Sequence, residues 1–227
     1  MDYLTIAFVG SLLTTDTTIA FQILISQPIF SCLLIGYLSG DAMLGLQVGF
    51  FIQLLWLIRI PVGAAFIPEG NTAAIVITAL IVRFHTPFNF YSLLIICFLY
   101  GLLISYLGGE LVVLYRKINT KLLRFLIHSI EDGKFKCVSY TTYFSLFFHF
   151  ILMSLLIYFA LIIGQTLLSK LLIILPVSIE AICKFGAIGL LGIGTGLVLS
   201  LYKATTPRIA LFVGILIGNG LFMLITR

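Results

Sequence analysis

Between Gly40 and Thr72 the chain reads GDAMLGLQVGFFIQLLWLIRIPVGAAFIPEGNT, an apolar segment interrupted by Arg59, Pro61, Gly63, Pro68, Glu69, Gly70 and Asn71 before hydrophobicity resumes at Ala73. Each proline removes a helical hydrogen bond and pushes the residue before it out of helical geometry, so backbone groups are freed near Pro61 and Pro68. The setting makes this costly. Hydrophobic residues form 61% of the chain and charged residues 9%, with a mean hydropathy of +1.23, whereas a soluble domain carries about 25% charged residues. The chain reads as an integral membrane protein, and in hydrocarbon free backbone groups survive only when buried in protein or facing a wet cavity.

Two readings of the interruption are open. In one, Pro61, Gly63, Pro68 and Gly70 shape a break inside the membrane, and Arg59 and Glu69 line a cavity for a polar solute, because an ionisable residue at that depth is a functional-site hypothesis. In the other, Arg59 and Glu69 sit in headgroups at the two ends of a short connection, and the prolines only end helices.

A second interruption lies upstream. Ile19 to Leu38 is apolar except for Gln22, Ser26, Gln27 and Ser31, with Pro28 in its middle, which predicts a kinked or broken membrane segment. Two interrupted segments in one half of a membrane chain point to a transporter site built from discontinuous helices. Helix ends meeting there offer free N–H and C=O groups. Asp16, in the cluster Thr14-Thr15-Asp16-Thr17-Thr18 that breaks the first apolar run, reads as a cap for the next helix or as a group facing a transport path; capping is its ordinary role. Gly45 and Gly49 stand four apart, the small-xxx-small spacing that lets helices approach closely. Gln53 follows on the same face at the next such step.

The remainder predicts an all-α, polytopic protein with broken or re-entrant helices confined to the N-terminal half. A chain of 227 residues holds roughly six to eight spans of about 20 residues as a single integral membrane domain over 1–227. Phe88 to Leu107 reads as one span, with Tyr91, Tyr100 and Tyr106 placed for the interfaces. The segment 116–140 carries Arg116, Lys117, Lys121, Arg124, Lys134 and Lys136 against Glu131 and Asp132. By the positive-inside rule it is a cytoplasmic loop. Its interleaved Leu122, Leu123, Phe125, Leu126 and Ile130 predict a helix partly in the interface. It reads as a topology anchor or as a docking place for a cytoplasmic domain. Gly186, Gly189, Gly192, Gly194 and Gly196 predict a close-packed helix rather than a phosphate loop, and Ile209 to Ile225 makes a final span after a short loop at Lys203 to Arg208.

Chemistry-bearing sets are sparse. The formal charge of +5 is spread between apolar runs, which marks loops rather than nucleic-acid binding. Cys32, Cys97, Cys137 and Cys183 have no metal-ligand spacing and read as apolar fillers. His85, His128 and His149 read as interfacial or packing residues, and no nucleophile–base set stands out. No catalytic residue, metal or cofactor is expected. The N-terminal sequence lacks the basic region and cleavage pattern of a signal peptide and is expected to be retained.

The run Gln27-Pro28, Gly36, Gly40-Asp41, Gly45, Gly49, Gly63-Ala64-Ala65 and Pro68-Glu69 resembles the IIC permease subunit of the mannose/fructose/sorbose family of the bacterial phosphotransferase system. Two positions depart from that pattern: Gln53 stands where the family usually has glutamate, and Gln27 where it usually has arginine. The resemblance implies a multi-pass subunit of the bacterial inner membrane that binds and translocates a hexose or amino sugar. It also implies a IID membrane subunit as partner and assembly as a trimer of IIC–IID pairs. Cytoplasmic IIA and IIB carriers would deliver phosphate received from HPr and phosphoenolpyruvate, and this subunit would carry none itself. Glu69 and Asn71 are expected as sugar-hydroxyl partners, with Gln53 and Gln22 contributing from neighbouring helices. The alternative, suggested by Gln53 and Gln27, is a regulatory or assembly subunit that keeps the fold without moving sugar.

Overall fold

The computed structural model describes residues 2–19, 23–57, 66–86, 88–174, 179–200 and 209. These residues form seven main α-helices in chain order: α1 Tyr3–Thr18, α2 Pro28–Ser39, α3 Ala42–Trp56, α4 Gly70–Phe84, α5 Phe90–Glu131, α6 Lys136–Ile174 and α7 Ile179–Ser200. No strand occurs among the described residues. Helices α5, α6 and α7 are long and apolar enough to cross a membrane, whereas α2, α3 and α4 are shorter apolar helices. The protein is an all-helical, polytopic membrane protein whose N-terminal half is built from short helices with breaks between them.

Helix α4 is the centre of the bundle. Every residue from Gly70 to Ile81 is buried, and α1, α2, α3, α5 and α6 all pack on it. A helix apolar on every side belongs in such a place. Its 15 residues rise only about 22 Å, less than the roughly 30 Å of hydrocarbon. It therefore starts from a break rather than from a membrane surface.

Glycines set the closest contacts. Gly40, at φ +105°, ends α2 in the left-handed conformation, and Asp41 caps α3 by accepting from the Leu44 N–H at 2.9 Å. The Gly-Asp pair is thus a helix-stop and helix-start device. Beyond it α2 and α3 fold back on each other: a Cβ on Gly36 would lie 2.7 Å from Gly45 Cα, one on Gly45 would overlap the Cys32 carbonyl, and one on Gly49 would lie 2.8 Å from the Pro28 carbonyl. The small-xxx-small spacing does bring two backbones together here.

Several expectations change. Thr14 to Thr18 do not break the first apolar run. They complete α1, where the Thr14 and Thr15 hydroxyls fold onto the Ser11 and Leu12 carbonyls, so the polar groups are satisfied inside the helix. Of the kink or break expected around Pro28 the structure has the break, with Pro28 starting α2 at its first position, a place where proline's missing N–H costs nothing. Phe88 to Leu107 is not a self-contained span, because α5 runs on through Gly108-Gly109 to Glu131. The segment 116–140 is correspondingly the end of α5, a tight turn and the first turn of α6, and a stiff helix continuing from the membrane does not lie down in the interface. Tyr100 is buried and donates to the Ala160 carbonyl at 2.8 Å, tying α5 to α6 rather than marking an interface. In α7, Gly186 and Gly194 face Ile95 and Leu54, but a Cβ on Gly189, Gly192 or Gly196 would meet no described atom within 4 Å. Those three glycines do not serve close packing within the described part of the chain. Lys203 to Arg208 and the final span lie outside the described residues apart from Ile209.

The glycine contacts differ in kind, and this gives a test. A Cβ on Gly45 meets fixed backbone, while one on Gly101 meets only the movable end of the Ile77 side chain. Gly45→Ala is expected to cost about 1–3 kcal/mol beyond the helix-propensity gain, and Gly101→Ala clearly less. Thermal unfolding of both variants in detergent, compared with the parent, measures the difference.

Candidate functional site

The two breaks meet at one level of the bundle. Thr17, one residue from the end of α1, accepts a hydrogen bond from Asn71 Nδ2 at 2.8 Å, so α1 ends beside the start of α4. Cys32 Sγ lies 3.7 Å from the Ala74 carbonyl, so the first turns of α2 lie beside those of α4. Trp56, the last residue of α3, packs against Gly70, the first residue of α4. Two helix N-termini, those of α2 and α4, and two helix C-termini, those of α1 and α3, are therefore gathered around the breaks.

Four of the freed backbone N–H groups there, those of Ile23, Ser26, Ile29 and Glu69, have partners drawn from another element. Asp16, only 3% exposed, accepts from the Ile23 N–H at 2.8 Å and the Ser26 N–H at 3.2 Å. Its role is capping, but of the turn before α2 rather than of a helix N-terminus. Gln53 Oε1 accepts from the Ile29 N–H at 3.3 Å, and Gln53 Nε2 donates to Gln27 Oε1 at 3.0 Å. Gln27 itself stands at the N-cap of α2 and makes no capping hydrogen bond with its side chain. Gln53 supplies from α3 what α2 lacks: an acceptor for an orphan first-turn N–H. The extended segment 66–69 leans on α5, where the Glu69 N–H donates to the Ser105 carbonyl at 2.8 Å. Gly108 and Gly109 make room for it, since a Cβ on either would come within 2.9 Å of Glu69 Cβ or 2.8 Å of the Ile67 carbonyl.

Of the residues expected to bind a solute, Glu69 and Asn71 lie at the centre of this convergence, with Glu69 at the N-cap of α4. The Glu69 carboxyl is buried and lies close to the N–H groups of Asn71 and Thr72, without closing a capping hydrogen bond. A negative group there is favoured by the helix dipole. Gln53 is brought to the same place, but both ends of its amide are engaged within the protein. Pro68 lies in the stretch just before α4 and Gly70 is its first residue, where the Trp56 ring leaves no room for a side chain. Gln22, Arg59, Pro61 and Gly63 lie outside the described residues.

Two further groups were not singled out from sequence. Trp56 Nε1 and Ser105 Oγ are buried without a hydrogen-bond partner among the described residues, and both flank the start of α4, Trp56 against Gly70 and Ser105 through its carbonyl on Glu69. The signals available were slight: the chain's single tryptophan, and a serine three residues before the Gly108-Gly109 pair. Neither marks a site without the fold.

The Gln27–Gln53 contact makes the two departures from the family pattern one coupled feature. Gln53→Glu removes the donor to Gln27 Oε1, and adding Gln27→Arg restores a donor to the new carboxylate. The double variant is expected to recover most of the stability lost by Gln53→Glu. Thermal unfolding of the parent, both single variants and the double variant closes the cycle, with a coupling of about 0.6–1.7 kcal/mol, the scale of interhelical hydrogen bonds in membranes.

The comparisons with known proteins agree with this architecture. A solved chain described only as a membrane protein superposes with a TM-score of 0.76 at 16% identity, covering 99% of this chain and 92% of that one. A cryo-EM structure of the mannose transporter ManYZ in complex with microcin E492 superposes with a TM-score of 0.62 at 17% identity, covering 96% of this chain and 86% of that one. No curated protein sequence matches. The model of the sorbose-specific IIC component of the phosphotransferase system matches residues 1–222, and the chain belongs to that family of membrane subunits.

Proposed function

We propose that this chain is the permease subunit of a phosphoenolpyruvate-dependent sugar phosphotransferase system, and that it binds a hexose or amino sugar where the two breaks converge. The observation that carries the reading is the pair of unpartnered buried donors, Trp56 Nε1 and Ser105 Oγ, on either side of the Glu69 N-cap. Buried polar groups are ordinarily satisfied, and exceptions call for an explanation such as a ligand. A sugar hydroxyl both donates and accepts, so it suits an indole N–H, a serine hydroxyl and a carboxylate together. Depth fits as well. Measured from the Arg83 end of α4 the break lies about 22 Å in, and measured from Phe90 along α5 the Ser105–Gly109 contact lies about 22–28 Å in. Both distances are shorter than the roughly 30 Å of hydrocarbon.

In this reading Glu69 and Asn71 meet the sugar, while Gln53 and Asp16 position the backbone around it. Gln22 is retained as a contributor from the first break. A IID subunit completes the membrane complex, in trimers of pairs, and IIA and IIB carriers phosphorylate the sugar at the cytoplasmic face of the bacterial inner membrane. The neutral Gln27–Gln53 pair favours one second reading, an assembly or regulatory subunit, because the pair carries no charge for a solute and the Gln53 amide is turned toward Ile29 and Gln27.

Phosphoenolpyruvate-driven uptake in vesicles, across hexoses and amino sugars, separates the two. Transport should require this chain. Glu69→Ala should lower uptake about 10-fold or more, the scale of losing a charge-assisted hydrogen bond, with the complex still assembled. Trp56→Phe keeps a ring against Gly70 and removes the N–H. It should weaken equilibrium sugar binding by about 2- to 10-fold. An assembled wild-type complex that moves no sugar would favour the regulatory reading.

A further inference from the structure

The end of α5 carries a cationic stripe that the sugar site does not use. One face of this part of the helix is taken up by α6: Tyr115 and Asn119 are linked through Ser145, at 2.6 Å and 2.9 Å. Lys117, Lys121 and Arg124, at successive spacings of four and three, share a single face that points away from that contact. All three are exposed, and beside them Phe125 is 61% exposed. Further along, Glu131 lies 3.7 Å from His128 and Asp132 3.2 Å from Lys134, and Glu110, two helical turns before Lys117 on the same exposed face, makes no ion pair with the stripe among the described residues.

Geometry decides what kind of surface can cover this stripe. From Asn89, which bonds Glu180 at the opposite boundary, α5 climbs about 52 Å to Arg124 at about 1.5 Å per residue. Hydrocarbon and both headgroup layers together span about 40–45 Å, so even at a typical tilt of about 20° Arg124 stands clear of the lipid. The stripe runs along the helix axis, and a lipid surface across that axis reaches only its first residue. A second copy of this chain brings the same positive charge. An acidic protein surface lying alongside the hairpin meets all three cations and covers Phe125.

We propose that the Lys117–Lys121–Arg124 face of α5 is a docking surface for an acidic face of the phosphoryl-carrying protein that serves this subunit. The assignment rests on the transport reading above. It also gives docking a physical route to the site, because the same unbroken helix carries the Ser105–Gly109 bed on which the break rests.

The test uses the assembled membrane complex in neutral phosphatidylcholine vesicles, with the purified carrier protein titrated against the rate of sugar phosphorylation. For K117E/K121E/R124E the carrier concentration giving half-maximal rate should rise about tenfold or more. Equilibrium sugar binding should be unchanged. Raising salt should weaken carrier use by the wild type far more than by the variant, as for contacts between exposed charges. The milder K117Q/K121Q/R124Q should shift in the same direction by less. Unchanged half-saturation in both variants, with wild-type phosphorylation intact, overturns the docking assignment alone. A shift reversed by adding phosphatidylglycerol to the vesicles assigns the stripe to lipid instead and also overturns it. Absence of phosphorylation by the wild-type complex overturns the transport reading and the docking assignment with it.

Discussion

Backbone broken at membrane depth must find partners, and the N-terminal half of this protein is arranged around that requirement. Hydrocarbon offers an N–H no acceptor, so each unpaired group costs several kcal/mol. Here the acceptors come from elements distant in sequence. Asp16 on α1 holds Ile23 and Ser26, Gln53 on α3 holds Ile29, and the Ser105 carbonyl on α5 holds Glu69. These contacts fix where α2 and α4 start. They also bring the chain's polar side chains together, since the groups that satisfy the breaks have to be polar themselves.

Helix α4 and helix α5 divide the remaining work. Helix α4 is short, apolar all round and enclosed, so its N-terminus is fixed inside the protein rather than in lipid. Helix α5 is the long element beside it, with glycines both where the 66–69 segment lies and where Gly101 admits Ile77 of α4. Because α5 continues unbroken to Glu131, the place where the break rests and the charged hairpin belong to one continuous helix. Displacing one end of such a helix shifts the other, which is the mechanical basis for relating carrier docking to the sugar site.

Much of this was legible in the sequence because breaks in an apolar chain are conspicuous. Pro28 and Pro68, the Gly40-Asp41 turn and the Gly45–Gly49 spacing each have a local physical consequence that the fold keeps. What stayed hidden depends on contacts between distant residues. Asp16 reads locally as a helix cap, and only the return of the chain at Ile23 and Ser26 shows what it caps. Gln53 reads as a solute ligand until Ile29 and Gln27 arrive to occupy both ends of its amide. The basic segment after Arg116 looks like a loop because its charges interrupt hydrophobicity, yet charge is no obstacle to a helix once it has left the bilayer. Ser105 and Trp56 carry no local signal; their interest comes from being buried beside Glu69 without partners.

The central claim is that the convergence of the two breaks is the sugar site. A cryo-EM structure of the assembled complex with a transported sugar bound tests it most directly. The expected result is density for the sugar at the start of α4, with hydroxyls within hydrogen-bond distance of the Glu69 carboxylate and of Trp56 Nε1 or Ser105 Oγ. A sugar bound elsewhere, with Glu69, Trp56 and Ser105 out of its reach, would contradict the account.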